Sequence, residues 1–379
     1  MMAEKMLRSD AAAELAENVA VPFSAARAMP KSVYVTDDFL HQERERIFRQ
    51  EWFCVGRSDA FAEHGDYLAF ELAGQPILVI RGSDGQLRAM ANVCRHRMSK
   101  LVEGMGNART LVCPYHGWTY NLDGRLRGAP AMQRNTGFDR KDYRLPPVRL
   151  EEWLGWVLVT LNPDAPAVSE HLAEVEQIVG DYRMQNYRQD FFDVFEWNTN
   201  WKILAENFME SYHLPVCHAK TIGGLSRVDE VECPEGRPAF NYHTLQKASE
   251  FTISIAHPDN KTLKGERRYM TYLLAIYPSM LITLTPGYFW YLSLYPLSPG
   301  RVRIFFGGGL SEEFTQDPDS EKSFAELKEL LIRVNDEDKG CTERVFAGMC
   351  SDFAAPGHLS HLERPNFEFA RYISSRIPS

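Results

Sequence analysis

Two short segments of the chain carry residue types that bind soft metals. Cys94-Arg95-His96 is followed, after sixteen residues, by Cys113-Pro114-Tyr115-His116. Two thiolates and two imidazoles suit either a tetrahedral zinc ion or a two-iron sulfide cluster. The order of types separates these options. A Cys2His2 zinc finger places two Cys first and two His later, around a short helix. Here each segment offers one Cys and one His. One iron can then take both thiolates and the other both imidazoles, which is the Rieske [2Fe–2S] ligand set. A structural zinc site is the competing assignment. A second constellation is His213 and His218, with four residues between them, in the stretch 206–218. Two neutral imidazoles and one carboxylate, with positions left open for O2, make the facial triad of non-haem Fe(II) centres.

These groups need elements that bring them together. Residues 75–80, a turn at 83–85 and residues 87–93 read as strand, tight turn and strand, ending at Cys94. Residues 110–112 lead into Cys113, 118–120 follow His116, and 121–124 form another turn. Both ligand pairs are therefore expected in loops at strand ends. Pro215 would break a helix after His213 and let the chain curl, so that both imidazoles meet one metal. A helix over 324–350 offers Asp336, Glu337 and Asp338 as the third ligand. Its apolar stripe runs Leu327, Leu331, Val334, Val345, Met349. At about 100° per residue, Asp338 falls on that stripe, whereas Asp336 and Glu337 read as solvated surface charges. A lone carboxylate facing a core is costly unless paired or metal-bound. Asp338 is the expected ligand, with Asp352 in reserve.

Residues 36–160 resemble the Rieske domain of the ring-hydroxylating, or Rieske non-haem iron, oxygenases, and the resemblance runs on through the catalytic half of those α subunits. It implies an α+β chain in three parts. A helical segment at 1–44 packs with the catalytic part. An all-β Rieske [2Fe–2S] domain occupies 45–162. A catalytic domain at 163–379 has an antiparallel sheet of the helix-grip type and long helices. It implies that Cys94, His96, Cys113 and His116 hold the cluster, and that His213, His218 and Asp338 hold a mononuclear Fe(II). The family carries an acidic residue five positions after its late-helix Asp, here Glu343. Glu210 matches the carboxylate that bridges, across a subunit boundary, a cluster-ligand His and an iron-ligand His. That carboxylate is usually Asp. Glu resembles the subgroup acting on quaternary ammonium compounds such as carnitine and betaines. Asn207 matches a position near the iron, and Glu206 and Tyr212 are candidates around it. The resemblance further implies a reductase component of flavin and ferredoxin type, carrying electrons from NADH through FMN. It also implies a head-to-tail homotrimer in which one subunit's cluster serves its neighbour's iron.

Composition sets outer bounds. The 379 residues suggest two domains, and 44% hydrophobic with 25% charged residues are ordinary soluble values. A net charge of −9 argues against nucleic acid. No run of about eighteen apolar residues marks a membrane span, and 1–29 lacks the apolar core of a secretory signal. Five Cys beyond the cluster pair are scattered, which fits a reducing cytoplasm. A helix is expected over 36–50, helical turns over 164–190 and a strand at 191–197. Loops at 219–268 are expected over an active site. Strands are expected at 272–276, 280–285, 288–296 and 302–307, and a short helix or extended tail at 360–377.

The preferred function is a monooxygenase that hydroxylates a quaternary ammonium or methylated amine, giving N-demethylation or C–N scission. Phe208, Tyr212, Tyr288, Phe289, Trp290 and Tyr291 offer ring faces for such a cation, although strand aromatics ordinarily fill cores. One rival is an aromatic-ring hydroxylating oxygenase. Another is a non-catalytic Rieske electron carrier, which has no use for His213, His218 and Asp338.

Overall fold

The computed structural model describes residues 2–223, 231–246 and 252–379. Contacts divide the chain into two compact units, Phe48–Val168 and Met1–Ile47 with Ser169–Ser379.

The unit Phe48–Val168 is all β. Its larger sheet has seven strands in the order Phe53–Arg57, Trp156–Thr160, Pro147–Trp153, Leu87–Ala91, Gln75–Arg81, Asp66–Leu72 and Gly104–Asn107. A smaller sheet joins Leu111–Val112, Thr119–Tyr120 and Leu126–Gly128. Leu78, Ile80, Met90, Trp118 and Tyr120 form a buried cluster that also contains Cys94 and Cys113. Apolar side chains pointing inward from paired strands thus set the floor under both ligand loops.

The other unit is built on a six-stranded antiparallel sheet. Its order is Arg188–Trp197, Arg301–Leu310, Tyr288–Ser298, Met280–Leu284, Met270–Ile276 and Phe240–Gln246. The last of these lies inside the region read from sequence as loops. Residues 224–230 and 247–251 of that region lie outside the described residues, as does the cover expected from them. Strand Arg301–Leu310 runs three residues past its expected end, through Gly308, Gly309 and Leu310. A Cβ at Gly308 would fall 2.7 Å from the Phe191 ring, and one at Gly307 2.5 Å from the Tyr291 ring. The glycines are there for close approach, not for a turn.

Three helices pack on this sheet: Trp201–Met209, the long Ser320–Met349 and Arg364–Arg376. Asn200 caps the first, its Oδ1 accepting from Lys202 N at 2.9 Å while its Nδ2 donates to Tyr34 O and Pro299 O. The N-terminal segment is a helix, Met2–Val19, followed by Asp37–Glu43 capped by Thr36. The expected helix over 36–50 therefore stops earlier as α-helix and closes in a wider turn at Arg44–Phe48.

A buried ion pair locks the N-terminal segment to the sheet unit. Lys202 Nζ donates to Glu43 Oε1 at 2.6 Å, and Trp201 Nε1 donates to Glu43 Oε2 at 3.0 Å. Both charges are fully buried. Burial pushes the Glu43 carboxyl up and the Lys202 ammonium down, and each partner's charge pulls back. Glu43→Ala is expected to strand the Lys202 charge and cost about 3–5 kcal/mol, whereas Glu43→Leu with Lys202→Met should recover most of that. Denaturant unfolding of the three proteins checks it. Equal stability of Glu43→Ala and the parent would refute the lock.

Two cysteines expected to be isolated are joined instead. Cys217 and Cys341, 124 residues apart in sequence, form a disulfide with Cα atoms 6.9 Å apart. Among the described residues, no helix is long and apolar enough to cross a membrane.

Candidate metal centres

The two Cys-His loops share one backbone design. Cys94 N donates to Ser99 O at 2.8 Å, and Met98 N to Cys94 O at 3.2 Å. Cys113 N donates to Trp118 O at 2.8 Å, and Gly117 N to Cys113 O at 3.0 Å. Each loop turns through a left-handed residue four positions after its Cys, Gly117 at φ +70° and Met98 at φ +52°. The loops bring the imidazoles of His96 and His116 to a centroid separation of 4.7 Å. Trp118 stacks on His96 at 4.8 Å. Both Cys are buried. The Nδ1 atoms of both His are also buried and, among the described residues, have no protein partner. Two buried thiols and two orphaned ring nitrogens fit a cluster that takes all four.

The local electrostatics favour the ligating forms. Burial pushes the Cys113 thiol up, but backbone N–H groups of Tyr115 and His116 outweigh it and hold the thiol below its ordinary value. Burial, then the His96 and Arg97 charges, push the His116 imidazole down. The Tyr120 hydroxyl lies 3.4 Å from Cys94 Sγ and accepts from Arg95 N at 2.9 Å. It can therefore donate to the thiolate.

The second site lies in the sheet unit. Among the described residues, His213, His218 and Asp338 form one group whose ligand atoms all lie within 4.8 Å of one another. His218 Nε2 is 3.0 Å and His213 Nε2 is 3.6 Å from the same Asp338 oxygen, Oδ1. The opposite ring nitrogens face carboxylates. His213 Nδ1 donates to Glu210 Oε1 at 2.6 Å, and His218 Nδ1 donates to Glu337 Oε2 at 2.9 Å. An ionised carboxylate only accepts, so each ring carries its proton on Nδ1 and turns a lone pair at Nε2 toward Asp338. Two His with outer carboxylate partners and one inner carboxylate suit a divalent metal. For the His218 imidazole, burial lowers its pKa, but the neighbouring Asp338 and Glu337 carboxylates outweigh that and hold it above the ordinary value.

The backbone reaches this geometry by a route other than the expected one. Helix Trp201–Met209 ends before His213, and Glu210 is extended at φ −133°, ψ 160°. Pro215 does not break a helix. It sits in the first turn of a short helix, Leu214–Cys217, with His213 at its N-cap. Glu210 organises the turn, its Oε2 accepting from Tyr212 N and His213 N.

Glu337 is the main correction. It is not a free surface charge: its Oε2 takes both His218 Nδ1 and Thr221 Oγ1, the latter at 2.6 Å. Asp336 is exposed, and so is Asp352. The buried stripe of the long helix runs Phe324, Leu327, Leu331, Val334, Asp338 and Thr342, and Val345 is exposed rather than inward. Glu343 accepts from Asn198 N at 2.9 Å. Glu206 accepts from the Tyr34 hydroxyl at 2.8 Å, and burial pushes its carboxyl up to about 7. Tyr212 is exposed.

The triad opens into a cavity of about 120 Å³. Asn207, Phe208 and Glu210 line it from one side, and Tyr288 and Trp290 from the sheet. Strand alternation turns Phe289 and Tyr291 to the opposite face, where Tyr291 donates to Gln189 at 3.1 Å. Sequence reasoning also missed His243, whose Nε2 pairs with the Ser211 hydroxyl at 3.0 Å. Burial, then the His213 charge, push that imidazole down to about 3, so it stays neutral.

Because Glu337 serves both partners through one oxygen, Glu337→Gln can keep both bonds on its amide oxygen. Its metal affinity is expected to fall about tenfold, and that of Glu337→Ala by up to about a hundredfold. Fe(II) titration of the metal-free variants checks this. Unchanged affinity in Glu337→Ala would remove Glu337 from the site.

Comparison with known proteins bears on the same regions. Residues 51–149 match the Rieske [2Fe-2S] domain, and residues 170–379 match the ring hydroxylating alpha subunit (catalytic domain). The chain is 35% identical over 214 residues to the glycine betaine monooxygenase oxygenase subunit of Pseudomonas aeruginosa, covering 56% of this chain and 50% of that protein. It is 34% identical over 255 residues to the carnitine monooxygenase oxygenase subunit of Escherichia coli K12, covering 66% and 65%. The chain thus spans about half to two thirds of the length of these relatives. Its fold is that of the quaternary ammonium Rieske monooxygenase CntA, with a TM-score of 0.81 at 23% identity over 95% of this chain and 98% of the other. The catalytic-domain match alone takes in more than half of the residues, with the Rieske match ahead of it, and the chain belongs to the Rieske ring-hydroxylating oxygenase α-subunit family.

Proposed function

We propose that this chain is the oxygenase component of a Rieske monooxygenase that hydroxylates a quaternary ammonium compound or related methylated amine at a carbon next to nitrogen. One observation carries the reading: two carboxylate-braced imidazoles and Asp338 converge at the mouth of a small cavity lined by aromatic rings and acids. When bound, the cluster and the Fe(II) supply single electrons and O2 activation. Cys94, His96, Cys113 and His116 would hold the cluster, and His213, His218 and Asp338 the iron. Glu210 and Glu337 keep both imidazoles in the Nδ1–H form.

The cavity supports a small cation. Its volume of about 120 Å³ is near the ~150 Å³ of a cavity that holds benzene. Glu210 and Asp338 make it acidic, and Phe208, Tyr288 and Trp290 can offer ring faces to a desolvated ammonium. Hydroxylation of an N-methyl carbon gives a hemiaminal that loses formaldehyde, and hydroxylation of another α-carbon gives C–N scission. The relatives named for glycine betaine and carnitine support the same class. Electrons come from NADH through a separate flavin- and ferredoxin-type reductase. The oxygenase works in the cytoplasm as a head-to-tail homotrimer, with Glu210 at the boundary between one subunit's cluster and its neighbour's iron.

Reductase-coupled oxygen uptake across choline, betaines, carnitine, methylated amines and benzoates tests this. Uptake and aldehyde release with a methylated ammonium compound are expected. Uptake driven only by an aromatic acid would replace the reading with ring hydroxylation, and a chain holding only the two cluster irons would make it an electron carrier.

A further inference from the structure

Three buried hydroxyls line the cavity and, among the described residues, have no protein partner: Ser254, Thr271 and Thr283. Their residues are 1%, 1% and 4% exposed. Several hydroxyls buried elsewhere in the same unit are bonded, although Ser311 Oγ, away from the cavity lining, is not. Thr285 Oγ1 donates to Tyr288 O, Thr199 Oγ1 to Thr342 O, and Thr342 Oγ1 to Asp338 O. A buried hydroxyl without a partner is costly, and native proteins rarely leave one so. Three in one cavity mark a place where a ligand completes the bonding.

The sheet register places two of them together. Thr283 lies directly between Leu273 and Trp290 on the neighbouring strands. Thr271 is two residues from Leu273 on the same strand, hence on the same face and diagonal to Thr283. All four residues line the cavity. The hydroxyls thus sit on the sheet wall beside the Trp290 ring, whereas Asp338 enters from the long helix.

We propose that Ser254, Thr271 and Thr283 form the subsite for the polar tail of the substrate, and that this tail is an uncharged alcohol. The substrate class is then a hydroxyalkyl quaternary ammonium or hydroxyalkyl methylamine, held with its N-methyl group toward His213, His218 and Asp338. The inference rests on the quaternary ammonium reading above. An alcohol both donates and accepts, and so do the three hydroxyls. A carboxylate tail is a poorer fit. The charged side chains near the triad, Glu210 and Asp338, are both acidic, and among the described residues no Lys or Arg lines the cavity. A buried carboxylate without a cation is disfavoured.

Calorimetric titration of the holoenzyme, loaded with cluster and iron, separates the possibilities. The probes are choline, glycine betaine, L-carnitine and tetramethylammonium, which has no tail. Choline is expected to bind more tightly than glycine betaine or carnitine. In Thr271→Val/Thr283→Val, choline should weaken about tenfold or more, while tetramethylammonium changes less than about twofold. Thr283→Ser keeps the hydroxyl and should keep choline affinity, which controls for packing. The cluster spectrum and unfolding midpoint report whether each variant is intact. Tighter binding of glycine betaine or carnitine than choline overturns the uncharged tail. Equal weakening of choline and tetramethylammonium, or no weakening, overturns the subsite and leaves the quaternary ammonium reading standing. If no cation binds the parent enzyme, that reading falls and this proposal with it.

Discussion

Asp338→Ala abolishes oxygen uptake while leaving the red-brown cluster spectrum in place; that is the expected result with the largest effect. Asp338 Oδ1 is the point on which both imidazoles converge, 3.0 Å from His218 Nε2 and 3.6 Å from His213 Nε2. It is buried, and among the described residues no hydrogen-bond donor satisfies it. Removing it leaves two neutral nitrogens facing an apolar wall that includes Leu331 and Val334. Two imidazoles alone bind Fe(II) far less tightly than a facial triad, so the loss should exceed the roughly 10–100-fold of an outer-partner mutation. Iron content should fall from about three to about two per chain, the two belonging to the cluster. The fold should hold, because the Thr342 hydroxyl bonds the Asp338 backbone carbonyl and not its side chain. Metal analysis with the visible spectrum reads both quantities. Undiminished iron with full uptake would show that Asp338 is no ligand.

Asp338 was legible because a helix repeats its facing every three to four residues, and the stripe from Leu327 to Val334 points to position 338. The same rule misplaced Glu337. A periodicity argument tracks where a side chain leaves the backbone, but a Glu is long enough to reach sideways from the flank of the stripe. Here it reaches His218, which a loop presses against that flank. The stripe also failed at its far end, where Val345 is exposed and the buried position falls to Thr342. The four-strand run from 272 onward was readable because apolar and aromatic residues there are interrupted by short turns. The edge strand Phe240–Gln246 was not, since Asn241, His243 and Gln246 hide its alternation.

The cavity hydroxyls were invisible for a related reason. Thr is an ordinary strand residue, and only the register shows that Thr271 and Thr283 share a face with Trp290. Pairing of Cys217 with Cys341 is likewise a tertiary fact, with 124 residues of separation and no local signal. What the sequence did carry was chemistry concentrated in short segments: the alternating Cys-His loops, and Glu210 three residues ahead of His213.

Glu210→Gln is the second large effect expected, and its logic differs from that of Glu337. Glu210 uses its two oxygens separately. Oε1 accepts from the His213 ring, and Oε2 accepts from the backbone N–H groups of Tyr212 and His213. A glutamine has one oxygen and one NH2 group. Whichever way it turns, the NH2 faces a donor, either the ring Nδ1–H or the backbone pair. The ring then loses the bond that fixes its tautomer, or the turn carrying it loses its cap. Both metals should remain, because neither Glu210 oxygen points at Asp338. Turnover should fall about a hundredfold, the upper end for an outer carboxylate. If Glu210 also serves the path between centres, the loss will appear in reoxidation of the reduced cluster by O2 with substrate bound, read by stopped-flow. Glu210→Asp is the instructive partner. A shorter carboxylate still caps N–H groups two and three residues ahead, but must stretch to the ring, so it should retain activity within about tenfold. Normal cluster reoxidation in Glu210→Gln would confine Glu210 to shaping the turn, and a collapse of Glu210→Asp to the glutamine level would make ring contact, rather than capping, its whole role.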